Sequence, residues 1–365
     1  IGSDALKVQN AGADAYNVAV GYNAGIAVTT GTKNTIVGGL SGDALTVGHG
    51  NTAIGYGALT TSVDGDNNTA IGHLALEDYE DGDGNGYNTA VGSRSQLNAT
   101  TGEFNTSLGG LSMGAGITTG DYNVAVGYSA GLNVTTGTNN TIIGGLAGDA
   151  LTTGAANVAI GKSALGAEDT LDGNTAVGYE ALKVQDGGTF NTVVGYQAGV
   201  AVSTGDHNTL LGPKAGDALT TGSSNIVIGY LADASAVDVS NEVNLYNGSV
   251  VARFQGSASS WSFVSDERDK SDIEDLELGV EFINKLKPRK FKWNHRSTDN
   301  DKGKQASGFV AQEVKAILDS ENINYTGLVD TNDPNQYTFA QANLIPMLVK
   351  AIQELSEEVK QLKNK

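Results

Sequence analysis

Over residues 1 to 232 the apolar positions come in short bursts, always in the same frame. An Asn is followed by Thr, Val or Ile, then a small or aliphatic residue, then Val, Ile or Leu, then Gly. The frame opens at Asn17, Asn34, Asn51, Asn68, Asn88, Asn105, Asn123, Asn140, Asn157, Asn174, Asn191, Asn208 and Asn225, and ten of these twelve spacings are 17 residues. The exceptions are 20 residues after Asn68 and 18 after Asn105. A fixed period with a short β-branched segment and an obligatory glycine reads as one solenoid turn: a strand, a corner, a second short segment and another corner. The glycine and β-branched content excludes helix. The predicted fold class is therefore mainly β, an elongated β-solenoid or β-roll shaft of 17-residue turns, about 60 Å long at about 4.8 Å per turn. The recurring Gly supplies a backbone turn closed to residues with a Cβ, and the recurring Asn is placed to stack as an amide ladder. Each turn carries little apolar volume, so neighbouring turns or partner chains must share the core.

After Ile228 the period changes. Residues 233–264 alternate with period two, and VNLYNGSVV sets Asn247 and Gly248 between apolar runs, a hairpin signal. A GSASS stretch follows, and Trp261 and Phe263 read as packing residues. From residue 265 the glycine content collapses and a small α+β domain is predicted over 265–365. SDIEDLELGVEFINKL reads as an amphipathic helix after Ser271 or Asp272, KPRKFKWN as a strand following Pro288, and GFVAQEVKAIL as a strand turning into a helix. Residues 343–364 read as a terminal coiled coil, with Ile345, Leu348, Ile352, Leu355, Val359 and Leu362 on a and d positions. Ile at a with Leu at d favours two strands in a free parallel coil.

Composition narrows the partners. Lys and Arg number 22 against 41 Asp and Glu, a net charge of −19, which argues against nucleic acid. The charge is −16 over residues 1 to 264 and −3 beyond, so the boundary near 264 is also electrostatic. There is no cysteine to form a disulfide or thiolate metal site, and no apolar run approaches the roughly 20 residues that span a bilayer, so membrane insertion is not expected. The sequence opens inside a repeat, at IGSDAL, and is expected to continue a longer chain.

Three sets of side chains on the shaft are candidates for chemistry. In the 20-residue unit, Asp81, Asp83, Asn85 and Gly86 match the first half of a D-x-D-x-N-G calcium loop. The twelfth position is Gly92 where Glu is needed, so an exposed acidic loop is the alternative, and calcium is the one cofactor considered. His49, His73, His207 and His295 are isolated and read as residues that cap, pack or face solvent rather than bind metal. Tyr22, Tyr56, Tyr128, Tyr179, Tyr196 and Tyr230 each follow a repeat glycine on one corner, as a carbohydrate-stacking stripe or as a ladder covering the turn.

The motifs SDERDK, LKPRKFKWN, GFVAQEV and LIPMLVKAIQEL, in this order at the end of the chain, resemble the peptidase S74 intramolecular chaperone domain of phage tail spikes and fibres. The resemblance covers residues 265–365. The repeats resemble the head repeats of trimeric adhesins, whose NSVAIG-type units stack into a β-roll, and the shafts of tail fibres. The S74 resemblance implies a domain that trimerises the chain, directs folding of the β shaft and then cuts itself off between Val264 and Ser265. It implies Ser265 as nucleophile and Lys270 as its partner, with Asp266 and Arg268 supporting the motif. Many members carry a histidine just before GFIAQEV, where this chain has Gln305, Ala306 and Ser307. A homotrimer is implied, with a host cell-surface glycan or protein as receptor and other tail proteins bound through an upstream part. The expected location is the virion tail, after assembly in the host cytoplasm. A single-turnover serine autopeptidase is the most enzyme activity implied.

The chemistry constrains when such a dyad could act. A lysine base must be neutral near pH 7, about 3 units below its ordinary pKa of about 10.4, which costs roughly 4 kcal/mol. Asp266, Glu267, Asp269 and Asp272 surround Lys270 in sequence and oppose that. Activity is therefore expected only once folding and assembly rearrange these charges. A bacterial trimeric adhesin with a retained, non-cleaving assembly domain is the alternative reading. A glycan-cutting enzyme is disfavoured, since the repeats offer no singular carboxylate pair.

Overall fold

The computed structural model describes residues 1–12, 14–80, 85–167, 170–246, 248, 251–255, 262–263, 270–292, 303–331 and 337–364. The chain divides into two units, Ile1–Val264 and Ser265–Lys365.

The first unit is a single-sheet solenoid. Each Asn frame yields one three-residue strand, from β1 (Val18–Val20) to β13 (Ile226–Ile228), and each strand pairs in parallel with the next. Thr35 lies opposite Thr52; across the 20-residue spacing Thr69 still meets Thr89, and across the 18-residue spacing Thr106 meets Val124. The extra residues are thus accommodated outside the ladder. The remainder of each coil runs through turns, so the second segment of the repeat is not a strand.

The asparagines do form a ladder, with a more specific bonding scheme than side-chain stacking. Asn140 is typical. Its backbone N–H donates to Asn123 Oδ1 at 3.0 Å, and its own Oδ1 accepts the N–H of Asn157 at 2.9 Å. Its Nδ2 donates across the coil to the Gly154 carbonyl at 2.8 Å. One buried side chain therefore closes its own coil and ties it to the next. Asn140→Ala leaves the Gly154 carbonyl and the Asn157 N–H without these partners. A loss of about 2 to 5 kcal/mol is expected from two such buried groups, read as a lowered midpoint of urea unfolding.

In seven coils packing follows a size exchange between the strand centre and the residue six positions on, whereas Ala19 with Gly25 and Ala125 with Gly131 are small at both. In four of the seven the centre is Ala (Ala53, Ala70, Ala159, Ala176) and the later position is Leu (Leu59, Leu76, Leu165, Leu182), all fully buried. Where the centre is large (Ile36, Ile142, Leu210), the later position is Gly42, Gly148 or Gly216. A Cβ on Gly148 would lie 3.4 Å from the Ile142 side chain, so the volume removed at one site is occupied from the other.

The period-two segment is a hairpin of β14 (Glu242–Tyr246) and β15 (Val251–Gln255), extended by β16 (Ser262–Phe263). β14 also stacks in parallel on β13, with Ile226 opposite Val243 at the repeat offset. The first strand of the hairpin is therefore a fourteenth rung, with Glu242 in the place of Asn.

The second unit holds α1 (Val280–Lys285), β17 (Arg289–Lys292), β18 (Gln305–Gly308), α2 (Ala311–Ser320), β19 (Val329–Asp330), β20 (Thr338–Phe339), a 3-10 turn at Gln341–Leu344, and α3 (Ile345–Lys363). Its core gathers Phe282, Leu286, Val314, Leu318, Leu328, Leu344 and Met347. α1 is shorter than the amphipathic pattern from Ser271 predicts. It begins only after Gly279, where the Glu354 carboxylate of α3 accepts the Val280 N–H at 2.8 Å. A Cβ at position 279 would run into that carboxylate, so a tertiary contact sets the helix start.

Candidate functional site

In the second unit, antiparallel pairing of β17 with β18 sets Phe291 opposite Ala306 and Lys290 opposite Ser307. Arg289 then forms a two-pronged ion pair with Glu313 of α2, Nε to Oε2 at 2.9 Å and Nη2 to Oε1 at 2.7 Å. The pair holds the Glu313 carboxyl below its ordinary range and raises the guanidinium. This contact joins the KPRKFKWN and GFVAQEV segments, a link that no spacing in the sequence announces. Beside it lies a cavity of about 460 Å³, whose lining includes Phe291, Ser307, Phe309, Gln312, Tyr337 and Gln341. Ser307, one of the three residues standing where the histidine was expected, faces that space.

The junction residues Val264, Ser265, Asp266 and Arg268 lie outside the described residues, and Lys270 is exposed. α3 separates two faces. Met347 and Ala351 are buried, whereas Ile345, Leu348, Ile352, Leu355, Val359 and Leu362 are all exposed, Ile352 by 63% and Leu362 by 70%. The six heptad positions read from the sequence thus form an uncovered apolar stripe within the single chain.

On the shaft, Tyr22, Tyr56, Tyr128, Tyr179, Tyr196 and Tyr230 are exposed. Tyr179 and Tyr196 stack at 5.4 Å, and Tyr56 stacks on His73 at 5.7 Å. A second aromatic column was not singled out from the sequence: Tyr87, Phe104 and Tyr122 stack at 5.5 and 4.9 Å. Its signal was available, since each of the three immediately precedes a repeat Asn. His49 Nδ1 accepts the Thr32 N–H at 3.0 Å, and His207 tilts against Phe190. His295, Asp81 and Asp83 lie outside the described residues. Asn85 is exposed, with its Oδ1 accepting from Asn67 Nδ2 at 3.3 Å. Among the described residues no group of three or more His, Asp or Glu is placed to hold a metal, and no helix is long and apolar enough to cross a membrane.

The outer side of the sheet adds one more surface. The third strand residue of successive rungs is aliphatic throughout (Val20, Val37, Ile54, Ile71, Val91, Leu108 and onward to Ile228), and several members are well exposed, Leu108 and Leu211 among them.

Comparison with protein-family models finds Peptidase_S74, chaperone of endosialidase, at residues 265–323. Over these residues the second unit is similar to the Peptidase S74 chaperone family. The match begins on Ser265, takes in α1, β17, β18 and α2, and stops before α3. Searches of curated proteins and of solved structures return no match. A solenoid of thirteen turns of about 17 residues, followed by a segment that matches the Peptidase S74 model, fits a tail fibre or spike with a C-terminal chaperone domain.

Proposed function

We propose that this chain is a phage tail-fibre segment whose C-terminal unit brings three copies together, directs winding of the β shaft and then cuts the Val264–Ser265 bond. The Peptidase S74 match on residues 265–323 is the observation that carries this reading. Ser265 serves as nucleophile and Lys270 as its base, with Asp266 and Arg268 orienting the pair. The burial that a neutral lysine requires comes with assembly, since Lys270 is exposed in the single chain.

Two apolar surfaces support association of copies. The α3 stripe supplies a seam, and the aliphatic column along the sheet supplies a second one on the shaft. The shaft meets the host surface, with the exposed tyrosine column as its carbohydrate-facing side, and it sits in the virion tail after assembly in the host cytoplasm. Native mass measurement of a whole-chain variant, Ser265→Ala, tests the assembly step. A trimer is expected, and adding Ile352→Glu with Leu355→Glu is expected to release monomers, because two carboxylates then fall on the seam. A whole chain that is monomeric before those substitutions would remove the basis for the reading.

A further inference from the structure

The fourteenth rung differs from the thirteen before it in each feature that makes a rung stackable. In Asn rungs the side-chain Oδ1 is offered to the next coil's N–H, so every coil presents an acceptor for one more. Glu242 joins the ladder below it in the usual way, its backbone N–H donating to Asn225 Oδ1 at 2.9 Å. Above, its carboxylate is already engaged. Ser235 N–H donates to Oε1 at 2.9 Å, Ser235 Oγ to Oε2 at 2.5 Å, and Arg253 of β15 lies 3.3 Å from Oε1. Glu242 is the one fully buried charged side chain among the described residues, and a buried carboxylate is stable only when paired in this way.

The core column ends at the same level. The strand-centre position, apolar or Ser107 in β1 to β13, is Asn244 in β14, buried, with its Nδ2 donating to the Asp233 carbonyl. The next strand then runs antiparallel, so the sheet stops presenting a parallel edge.

We propose that Ser235, Glu242, Asn244 and Arg253 form a terminating lock: a polar end plate that closes the solenoid from within the first unit and holds the last coils shut without help from the second. An unclosed solenoid end combines an apolar core with unpaired strand groups, which invites fraying or pairing with other chains. The lock lies wholly within Ile1–Val264, on the shaft side of the proposed cut. It would allow the assembly domain to depart without loosening the coils nearest to it. The lock itself does not depend on whether cleavage occurs.

Hydrogen exchange followed by mass spectrometry tests this on full-length chains carrying Ser265→Ala, so that every sample stays whole whatever the fate of the junction. Arg253→Met removes the cation, and Glu242→Gln is a near-isosteric control that removes the charge but keeps the buried shape. With Arg253→Met, exchange in β13 and β14 is expected to rise by about tenfold or more. The rise should decay over the next few coils and leave the rungs from β1 to β8 (Thr141–Ile143) at the unsubstituted rate, with Glu242→Gln giving the same gradient at smaller amplitude. Unchanged exchange in β13 and β14 in both variants overturns the proposal. Equal acceleration in every rung from β1 onward also overturns it, because the group would then be an ordinary core contact.

Discussion

Ser265→Ala is expected to leave the chain whole, while the unsubstituted protein yields a fragment beginning at Ser265 and a shaft ending at Val264. The effect is all or none, because removing the hydroxyl removes the nucleophile, whereas other contacts change only the rate. Intact-mass analysis of both proteins, purified in parallel, resolves the two outcomes directly. Lys270→Met should also stay whole, by loss of the base, while keeping the subunit count of Ser265→Ala. If the unsubstituted chain stays whole and trimeric, the second unit is a retained assembly clamp without protease function. Residues Gln305, Ala306 and Ser307, on β18 in place of the expected histidine, then become the first substitutions to try. Cutting that continues in Ser265→Ala would reject the assigned nucleophile.

The second large effect is expected at the strand-end glycines. Gly144 has φ of +137°, a conformation that side chains with a Cβ rarely adopt, and an added Cβ would sit 2.5 Å from the Gly161 carbonyl oxygen of the next rung. Gly144→Ala combines backbone strain with a clash against a carbonyl oxygen that is itself held by the Ala164 N–H of its own turn. A loss of about 3 to 5 kcal/mol is expected, measured as a fall in the urea midpoint. The adjacent glycine provides the control. A Cβ on Gly145 meets nothing nearer than the Tyr128 carbonyl oxygen at 3.9 Å, so Gly145→Ala should lie within about 1 kcal/mol of the parent. Similar losses at both positions would mean that the glycine stack is not what limits the coil.

The repeat was legible because it rests on backbone demands that few residues meet. Only glycine suits the strand-end conformation, and Asn offers a donor and an acceptor short enough to bridge coils, so both recur in a fixed frame. Partner atoms were not legible: that Asn140 Nδ2 reaches the Gly154 carbonyl depends on how the turns fold back. The fourteenth rung was not legible because it breaks the pattern at the position that defines the pattern, with Glu242 for Asn. In the second unit the heptad of α3 was readable from spacing alone, whereas the start of α1 was not, since Glu354 fixes it from 74 residues away. The Arg289–Glu313 pair was hidden for the same reason: charge in a sequence does not reveal which opposite charge the fold brings near.

The indifference of the ladder to coil length, with Thr69 meeting Thr89 as regularly as Thr35 meets Thr52, has a genetic consequence. Unequal recombination between in-frame tracts of seventeen codons adds or deletes a whole rung while both ends of the shaft keep their sequences. Extra codons inserted at a corner alter the local surface and leave the strand register alone. Shaft length and surface decoration can therefore vary independently in a lineage, the first in quantised steps and the second by small insertions, with neither change requiring compensation in the closing rung or in the domain that follows.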